Sequence, residues 1–140
     1  MNNLVERANQ LIRKTPALTL TSVDNEGFPR PIAMAILCAE SIHEVWFATP
    51  LDSQKIAHYK QNDKAGLSFY ADGENVTLVG HVDIQTDLDT KKKYWTDWIE
   101  KFYPGGPENP NTALLRFVPE NGIFVFEGKM TRLTKTELYA

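Results

Sequence analysis

Short β-rich runs, separated by turn-forming clusters about ten residues apart, restrict this chain to a sheet with short connections. The runs lie at 17–23, 28–37, 44–48, 64–70, 75–85, 113–118 and 122–128. The clusters between them include 24–27, 40–43, 71–74 and 119–122. Links this short join antiparallel neighbours, because parallel pairs need a crossover of a dozen or more residues. The sequence therefore predicts a mainly antiparallel sheet, which with this number of strands commonly closes into a barrel.

Helical periodicity predicts three helices around this sheet. The first covers 3–14, where apolar residues repeat at helical spacing and Pro16 follows the end. The second covers 53–62 and the third 87–103. One face of the third helix would carry its large apolar residues, which are Trp95, Trp98, Ile99 and Phe102.

Length and composition favour a single domain over 1–140. The chain has 140 residues, of which 42% are hydrophobic and 24% charged, as in ordinary soluble globular proteins. No apolar run approaches the roughly 20 residues that span a bilayer, and the first residues lack the features of a secretory signal. The single cysteine, Cys38, excludes an intrachain disulfide and fits a reducing compartment. We therefore expect a cytoplasmic protein without membrane contacts.

Charge and histidine spacing exclude two classes of site. A net charge of −3 argues against a broad nucleic-acid-binding surface, which needs an excess of basic residues. The lysine run 91–93 is expected to form a solvated face of the third helix. His43, His58 and His81 are scattered, and none has a partner at metal-ligand spacing. We therefore expect no metal site, and any anion site must be local.

The stretch 46–55 is the most informative for chemistry, because a strand ends there and a helix begins with a hydroxyl residue. The first N–H groups of a helix lack intrahelical partners and lie at its positive end, so a phosphate can bind there. Thr49 and Ser53 would add hydroxyls, Lys55 an ammonium, and Arg30 a second cation. The same pattern is common at helix starts that bind nothing, so by itself it leaves both interpretations open.

Two prolines flank Arg30 in the segment 27–34. Proline within a strand pattern is tolerated mainly at edges, strand starts and bulges, where backbone polar groups remain unpaired. Such groups beside Ala33 and Met34 suit a flat heteroaromatic ring with donors and acceptors along its edge. The isoalloxazine ring of a flavin is one such ring.

Motifs in this order resemble the split barrel of the pyridoxamine-phosphate-oxidase class, which binds flavin mononucleotide (FMN). They are GFPRP at 27–31, WFAT at 46–49, SQK at 53–55 and LVGHV at 78–82. A further set, at 94–98, 102–110 and 114–117, is similar to the general stress protein 26 branch of that class. The resemblance runs from the first helix to about Glu127.

The resemblance implies an antiparallel, six- to seven-stranded split β-barrel with flanking helices. It also implies a homodimer with one FMN in each of two grooves at the subunit interface. By position, Arg30 and Lys55 would clamp the phosphate together with Thr49 and Ser53. The ring and ribityl chain would be lined by Pro31, Ile32, Ala33, Met34, Trp46, Phe47 and Ala48.

Two weaker candidates, Asn75 and Trp98, would contact the cofactor from the partner subunit. Plain packing of the third helix on the barrel also explains Trp98. Catalytic residues cannot be assigned, because a flavin itself accepts hydride or electrons and the protein mainly binds and orients it. The resemblance thus implies an FMN-binding general stress protein. It is compatible with a flavin-dependent oxidoreductase activity, whose substrate the sequence does not identify.

Departures from the oxidase pattern argue against vitamin B6 as the substrate. Ala35 stands where true oxidases place a lysine for the substrate phosphate, and Gln54 replaces the arginine of their Ser-Arg-Lys motif. Their C-terminal substrate segment has no counterpart after Arg132. Pyridoxamine-phosphate oxidase activity is therefore not expected.

Two other interpretations keep the same barrel. One is a reductase that uses the deazaflavin F420, whose longer tail would need additional basic residues beside the groove. The other is a flavin-free dimeric module that binds a small ligand or haem, and haem would ordinarily need an axial ligand, such as His81, that faces the groove.

Overall fold

All the strands join one antiparallel sheet, as the short links between β-rich runs predict. The computed structural model of the protein describes residues 3–140. Its strands are β1 (Ala17–Val23), β2 (Pro29–Ala35), β3 (Cys38–Ser41), β4 (Glu44–Pro50), β5 (Lys64–Ala71), β6 (Glu74–Gln85), β7 (Thr112–Phe126) and β8 (Lys129–Leu133). Its helices are α1 (Asn3–Arg13), α2 (Gln54–Gln61), α3 (Leu88–Tyr94) and α4 (Lys135–Leu138).

The strand order is β2-β1-β5-β6-β7-β4-β3, and β8 pairs with the second half of β7. The sheet curls into a mainly β, antiparallel split barrel with flanking helices, which confirms the predicted fold class. Residues 3–140 form eight strands, one more than the predicted range, because the last two predicted strands form one, β7, whereas β3 and β8 were not predicted. Both are short, and β8 is largely exposed, so neither shows the alternation that reveals a strand.

The predicted turn before the last strand was wrong, because β7 runs through it as one strand of 15 residues. Gly80 pairs with Pro119 while Val79 pairs with Asn121, so Glu120 is the extra residue of a β-bulge. A bulge tolerates a proline, because no ladder hydrogen bond is lost there. A Cβ atom on Gly80 would lie 2.7 Å from the Cα atom of Pro119, so only glycine fits opposite the bulge.

The third predicted helix ends earlier than its periodicity indicates. Regular helix covers only Leu88–Tyr94, and Trp95 already has extended backbone with ψ at 139°. The Thr96 hydroxyl donates a hydrogen bond of 2.8 Å to the Leu37 carbonyl, which holds this extended stretch against the corner between β2 and β3. A single 3₁₀ turn, Asp97–Ile99, follows.

The expected common apolar face of that helix is consequently divided. Ile99 is buried, whereas the Trp98 and Phe102 residues are 46% and 58% exposed. Trp98 is therefore only half-buried by packing on the barrel, and the exposed part of its indole ring is available for other contacts. Among residues 3–140, no helix is long and apolar enough to cross a membrane.

Two apolar clusters hold the fold together. The larger fills the inside of the curled sheet and includes the buried face of α1, which comprises Val5, Ala8, Leu11 and Ile12. The smaller lies on the outer side of β4, where the segment 88–111 covers Trp46 and Ala48. The Trp46 ring stacks on Tyr94 with centroids 3.9 Å apart, and the Tyr103 hydroxyl donates to the Ala48 carbonyl.

The lysine run 91–93 is only partly the solvated face that was predicted. Lys91 is 5% exposed, and its ammonium donates hydrogen bonds of 3.1 and 3.0 Å to the carbonyls of Asn109 and Thr112. Lys92 and Lys93 are exposed, as expected. Lys91 therefore ties α3 to the loop that enters β7.

Candidate anion and cofactor site

Three of the predicted phosphate-binding residues lie together where β4 leads into α2. Thr49 is fully buried near the end of β4, and Ser53 is the N-cap of α2. The Lys55 ammonium donates to the Thr49 hydroxyl over 3.3 Å, and that hydroxyl donates to the Ser53 hydroxyl over 3.0 Å. A strand end followed by a helix start thus brings two hydroxyls and one cation to a single point.

The positive charge of Lys55 has no neutralising carboxylate beside it in the part of the chain that the structure describes. Ser53 makes no side-chain capping bond to α2, and the first turn of α2 contains no acidic residue. Within residues 3–140, Lys55 forms no ion pair. Burial lowers the pKa of Lys55, because desolvation disfavours its charged form. Since the helix start is also positive, the group is suited to an anion.

Arg30 lies in a different environment. Its Nε atom donates over 2.7 Å to the buried carboxylate of Asp24, and its side chain is 60% exposed. Asp24 also accepts backbone N–H bonds from Phe28 and Glu26. The Arg30 hydrogen bond, then the backbone bonds, hold the pKa of Asp24 below its usual value. Arg30, one of the two cations predicted to bind the phosphate, is thus already paired with the Asp24 carboxylate.

A cavity of about 490 Å³ lies between the β1–β2 turn and α2. It is lined by Asp24, Asn25, Glu26, Arg30, Gln54, Ala57, His58 and Gln61. Lys55 follows Gln54 in α2 but does not line this cavity. The structure therefore brings Thr49, Ser53 and Lys55 together and places Arg30 in the adjacent cavity.

A polar pair beside this cavity was not predicted from the sequence. Ser22 is buried on β1, and its hydroxyl oxygen lies 2.7 Å from Nδ1 of His58. His58 stands four residues after Gln54, so both lie on the same face of α2. That spacing was readable, but nothing in the sequence showed that α2 packs on β1.

The candidate ring-lining residues divide between an exposed strand and a buried one. On β2, the five residues from Pro29 to Ala33 are all exposed and Met34 is buried. β2 is an edge strand, as its prolines predict. On β4, Trp46, Phe47 and Ala48 are buried. Of these two strands, β2 is therefore the one that offers accessible side chains to a planar ligand.

Asn75 and Trp98, the two candidates for partner contacts, lie in different cavities. Asn75 borders a groove of about 430 Å³ on the outer side of β1, β5 and β6, beside Thr19 and Tyr70. Trp98 borders a cavity of about 320 Å³ at the end of α1. Neither cavity includes Thr49, Ser53 or Lys55.

The outer side of β1, β5 and β6, which we call the open sheet face, has grooves along its length. Besides the groove at Asn75, one of about 600 Å³ is lined by residues that include Thr21, Gly66, Val79 and His81. Tyr70 and Val79 expose 71% and 46% of their surface here. Exposed apolar area of this kind is typical of contact surfaces.

A family model described as "Pyridoxamine 5'-phosphate oxidase like" matches residues 3–135. The chain belongs to this family. No curated protein sequence matches it.

Solved structures place this oxidase-like protein beside general stress proteins. It is 28% identical to a Clostridium acetobutylicum protein related to general stress protein 26, with a TM-score of 0.85 over 97% of this chain and 96% of that one. General stress protein 26 of Bacillus anthracis is 22% identical, with a TM-score of 0.77 over 94% and 100%. A haem-binding protein of Mycobacterium smegmatis is 14% identical, with a TM-score of 0.78 over 99% of this chain and 60% of that one.

In this oxidase-like chain, the chemistry available at the β4–α2 junction is anion binding. The Ser53 hydroxyl, the Lys55 ammonium and the N-terminal amides of α2 can contact the oxygens of a terminal phosphate, while the buried Thr49 hydroxyl bonds to both side chains and positions them. None of these groups has a neighbouring general base within hydrogen-bond distance in residues 3–140. The junction is therefore suited to holding a ligand rather than transforming it.

Proposed function

We propose that this protein binds FMN, with the phosphate held by Lys55, Ser53 and the first amides of α2, and with Thr49 positioning the two side chains. The observation that carries the proposal is the partly buried Lys55 ammonium, which has no carboxylate partner within residues 3–140. An unpaired cation withdrawn from water is costly, and a bound phosphate would supply the missing charge. The residues present therefore fit the phosphate end of the cofactor.

Arg30 is expected to contribute less than Lys55 to phosphate binding. Asp24 already occupies its Nε atom and offsets its charge. Its terminal nitrogens remain available at the surface, because 60% of the side chain is exposed. An exposed and paired cation gains less from a new anion than a desolvated, unpaired one.

We further propose that two copies of the chain form a dimer with the cofactor between them. An edge strand with five successive exposed residues, including Ile32 at 49% exposure, leaves apolar surface and backbone groups uncovered. The open sheet face adds Tyr70 and Val79. A second copy would cover these surfaces and complete the wall of a groove that one chain leaves open.

Bound FMN would supply hydride or electron transfer, and the chain would bind, orient and shield it. β2 would present its exposed edge to the ring, and the β4–α2 junction would anchor the phosphate. Ala35 at the end of β2 provides no cation for a substrate phosphate. We therefore propose that the protein is a general stress protein with flavin-dependent oxidoreductase activity. Its substrate is not a phosphorylated B6 vitamer.

The absorption spectrum of the purified protein, followed by cofactor extraction, tests FMN binding directly. Lys55→Gln should weaken FMN binding about 10- to 100-fold, since a charge-assisted hydrogen bond contributes about 1.5–3 kcal/mol. Arg30→Gln should have a smaller effect. Lys60→Gln, an exposed lysine in the last turn of α2, is the matched control. An unchanged affinity in Lys55→Gln would show that the phosphate lies elsewhere.

Haem binding is a second candidate, which the Mycobacterium smegmatis neighbour and the position of His81 favour. His81 borders the groove of about 600 Å³ on the open sheet face, but its ring nitrogens contact Asp63 at 3.1 Å and Glu120 at 3.3 Å. Axial ligation would have to break one of these contacts. A Soret band that is lost in His81→Ala would favour haem, and an extracted deazaflavin would instead identify F420.

A further inference from the structure

A second cavity lies away from the β4–α2 junction, between the end of α1, the β2–β3 corner and Trp98. We call it the α1-end cavity. Its volume is about 320 Å³, and its lining includes Arg13, Lys14, Ile36, Cys38 and Trp98. This volume lies at the small end of the range for ligand pockets, which is about 300–1,000 Å³. It shares no residue with the Thr49, Ser53 and Lys55 group.

Two cations stand on the α1 side of this cavity. Arg13 donates from Nε to the Glu40 carbonyl over 2.7 Å, and its terminal nitrogens have no partner within residues 3–140. The Lys14 ammonium likewise has none there. A guanidinium with free terminal N–H groups has the planar geometry that pairs with a carboxylate.

The rest of the cavity lining is mostly apolar. Ile36 and Leu37 are buried, and Trp98 contributes a half-exposed indole ring. Burial, followed by the nearby carboxylates of Glu40 and Glu44, raises the pKa of the Cys38 thiol. A ligand would therefore lie with its charged end at α1 and its apolar body toward Cys38 and Trp98.

We propose that the α1-end cavity binds a small amphipathic monocarboxylate, with the carboxylate on Arg13 and Lys14 and the apolar body against Trp98. This site goes beyond the proposed flavin function and does not require bound cofactor. The polarity of the cavity excludes two other ligand classes. Neutral apolar molecules would leave the two cations unpaired, and the cations would repel amines.

Octanoate, octan-1-ol and octylammonium test this polarity, because they share a chain and differ in the charge of the head. Two readouts report on the cavity: fluorescence of Trp98 and the alkylation rate of Cys38, the only cysteine, by neutral iodoacetamide. Octanoate should protect Cys38 from alkylation. Octan-1-ol should bind about tenfold more weakly, because it cannot form the charge-assisted contact. Octylammonium should give no protection.

Substitutions of the lining residues test whether octanoate binds in the α1-end cavity. Arg13→Gln combined with Lys14→Gln should weaken octanoate about tenfold or more, and Lys14→Gln alone serves if the double variant unfolds. Lys101→Gln and Phe102→Leu, at exposed positions outside the cavity, are the matched controls. Trp98→Leu should remove the fluorescence change.

Three results would overturn the proposal: equal protection by octanoate and octan-1-ol, unchanged binding in the charge variants, or no protection by any probe. Displacement of bound FMN by octanoate would show that the cavity belongs to the flavin groove. A protein that binds octanoate and no flavin would leave this inference standing and refute the proposed function.

Discussion

Lys91 should contribute far more to stability than the two lysines that follow it. Lys91→Met removes two charge-assisted hydrogen bonds and leaves the carbonyls of Asn109 and Thr112 without this donor. Each such bond contributes about 1.5–3 kcal/mol, and relief of the buried charge offsets part of the loss. We expect a net loss of about 2–3 kcal/mol, which lowers Tm by about 6–9 °C in a chain of this length.

The run itself supplies the controls. Lys92 reaches Glu108 only at 3.9 Å with an exposed side chain, and the Lys93 ammonium lies 5.1 Å above the Tyr94 ring. Lys92→Met and Lys93→Met should each change the free energy of unfolding by about 0.5 kcal/mol or less. Urea unfolding, followed by far-UV circular dichroism, measures all three variants. If Lys91→Met cost no more than Lys92→Met, the buried tie between α3 and β7 would contribute nothing.

Three further variants test the bulge on β7 and the buried carboxylate of Asp24. Gly80→Ala should cost about 2–3 kcal/mol in urea unfolding, because its Cβ would meet the β7 backbone at the bulge. Gly66→Ala should be neutral or stabilise the fold by up to about 1 kcal/mol, because the nearest atom to its added Cβ would be 3.6 Å away. If both alanine variants changed the free energy of unfolding equally, the bulge geometry would be contradicted. Asp24 has a pKa lowered from 3.8, so its stabilisation is present above that pH and lost as the pH falls through the folded-state value. The difference in free energy of unfolding between the unsubstituted protein and Asp24→Asn should therefore narrow as the pH falls from about 6 to about 3, as measured by urea titration. A difference that stayed constant would show that the ionised Asp24 carboxylate does not stabilise the fold.

The candidate site was only partly predictable. Strand and helix patterns placed Thr49, Ser53 and Lys55 at one junction, because the three residues are close in sequence. The Asp24 partner of Arg30 was not predicted, because this contact depends on how the β1–β2 turn folds back. The Ser22–His58 pair was not predicted for the same reason, since it joins residues on different elements.

The sequence by itself determined the antiparallel sheet, the opening helix and the edge position of β2. These features follow from local properties: short links, helical spacing of apolar residues and prolines that cannot serve a central strand. Only the tertiary structure decided that β7 continues through Pro119, that Lys91 is buried and that Trp98 is exposed. Those outcomes depend on what packs opposite each residue. A glycine on β6 admits the bulge. The Thr96 hydroxyl bonds to the Leu37 carbonyl and holds the chain extended after α3, so Trp98 does not continue the face of that helix.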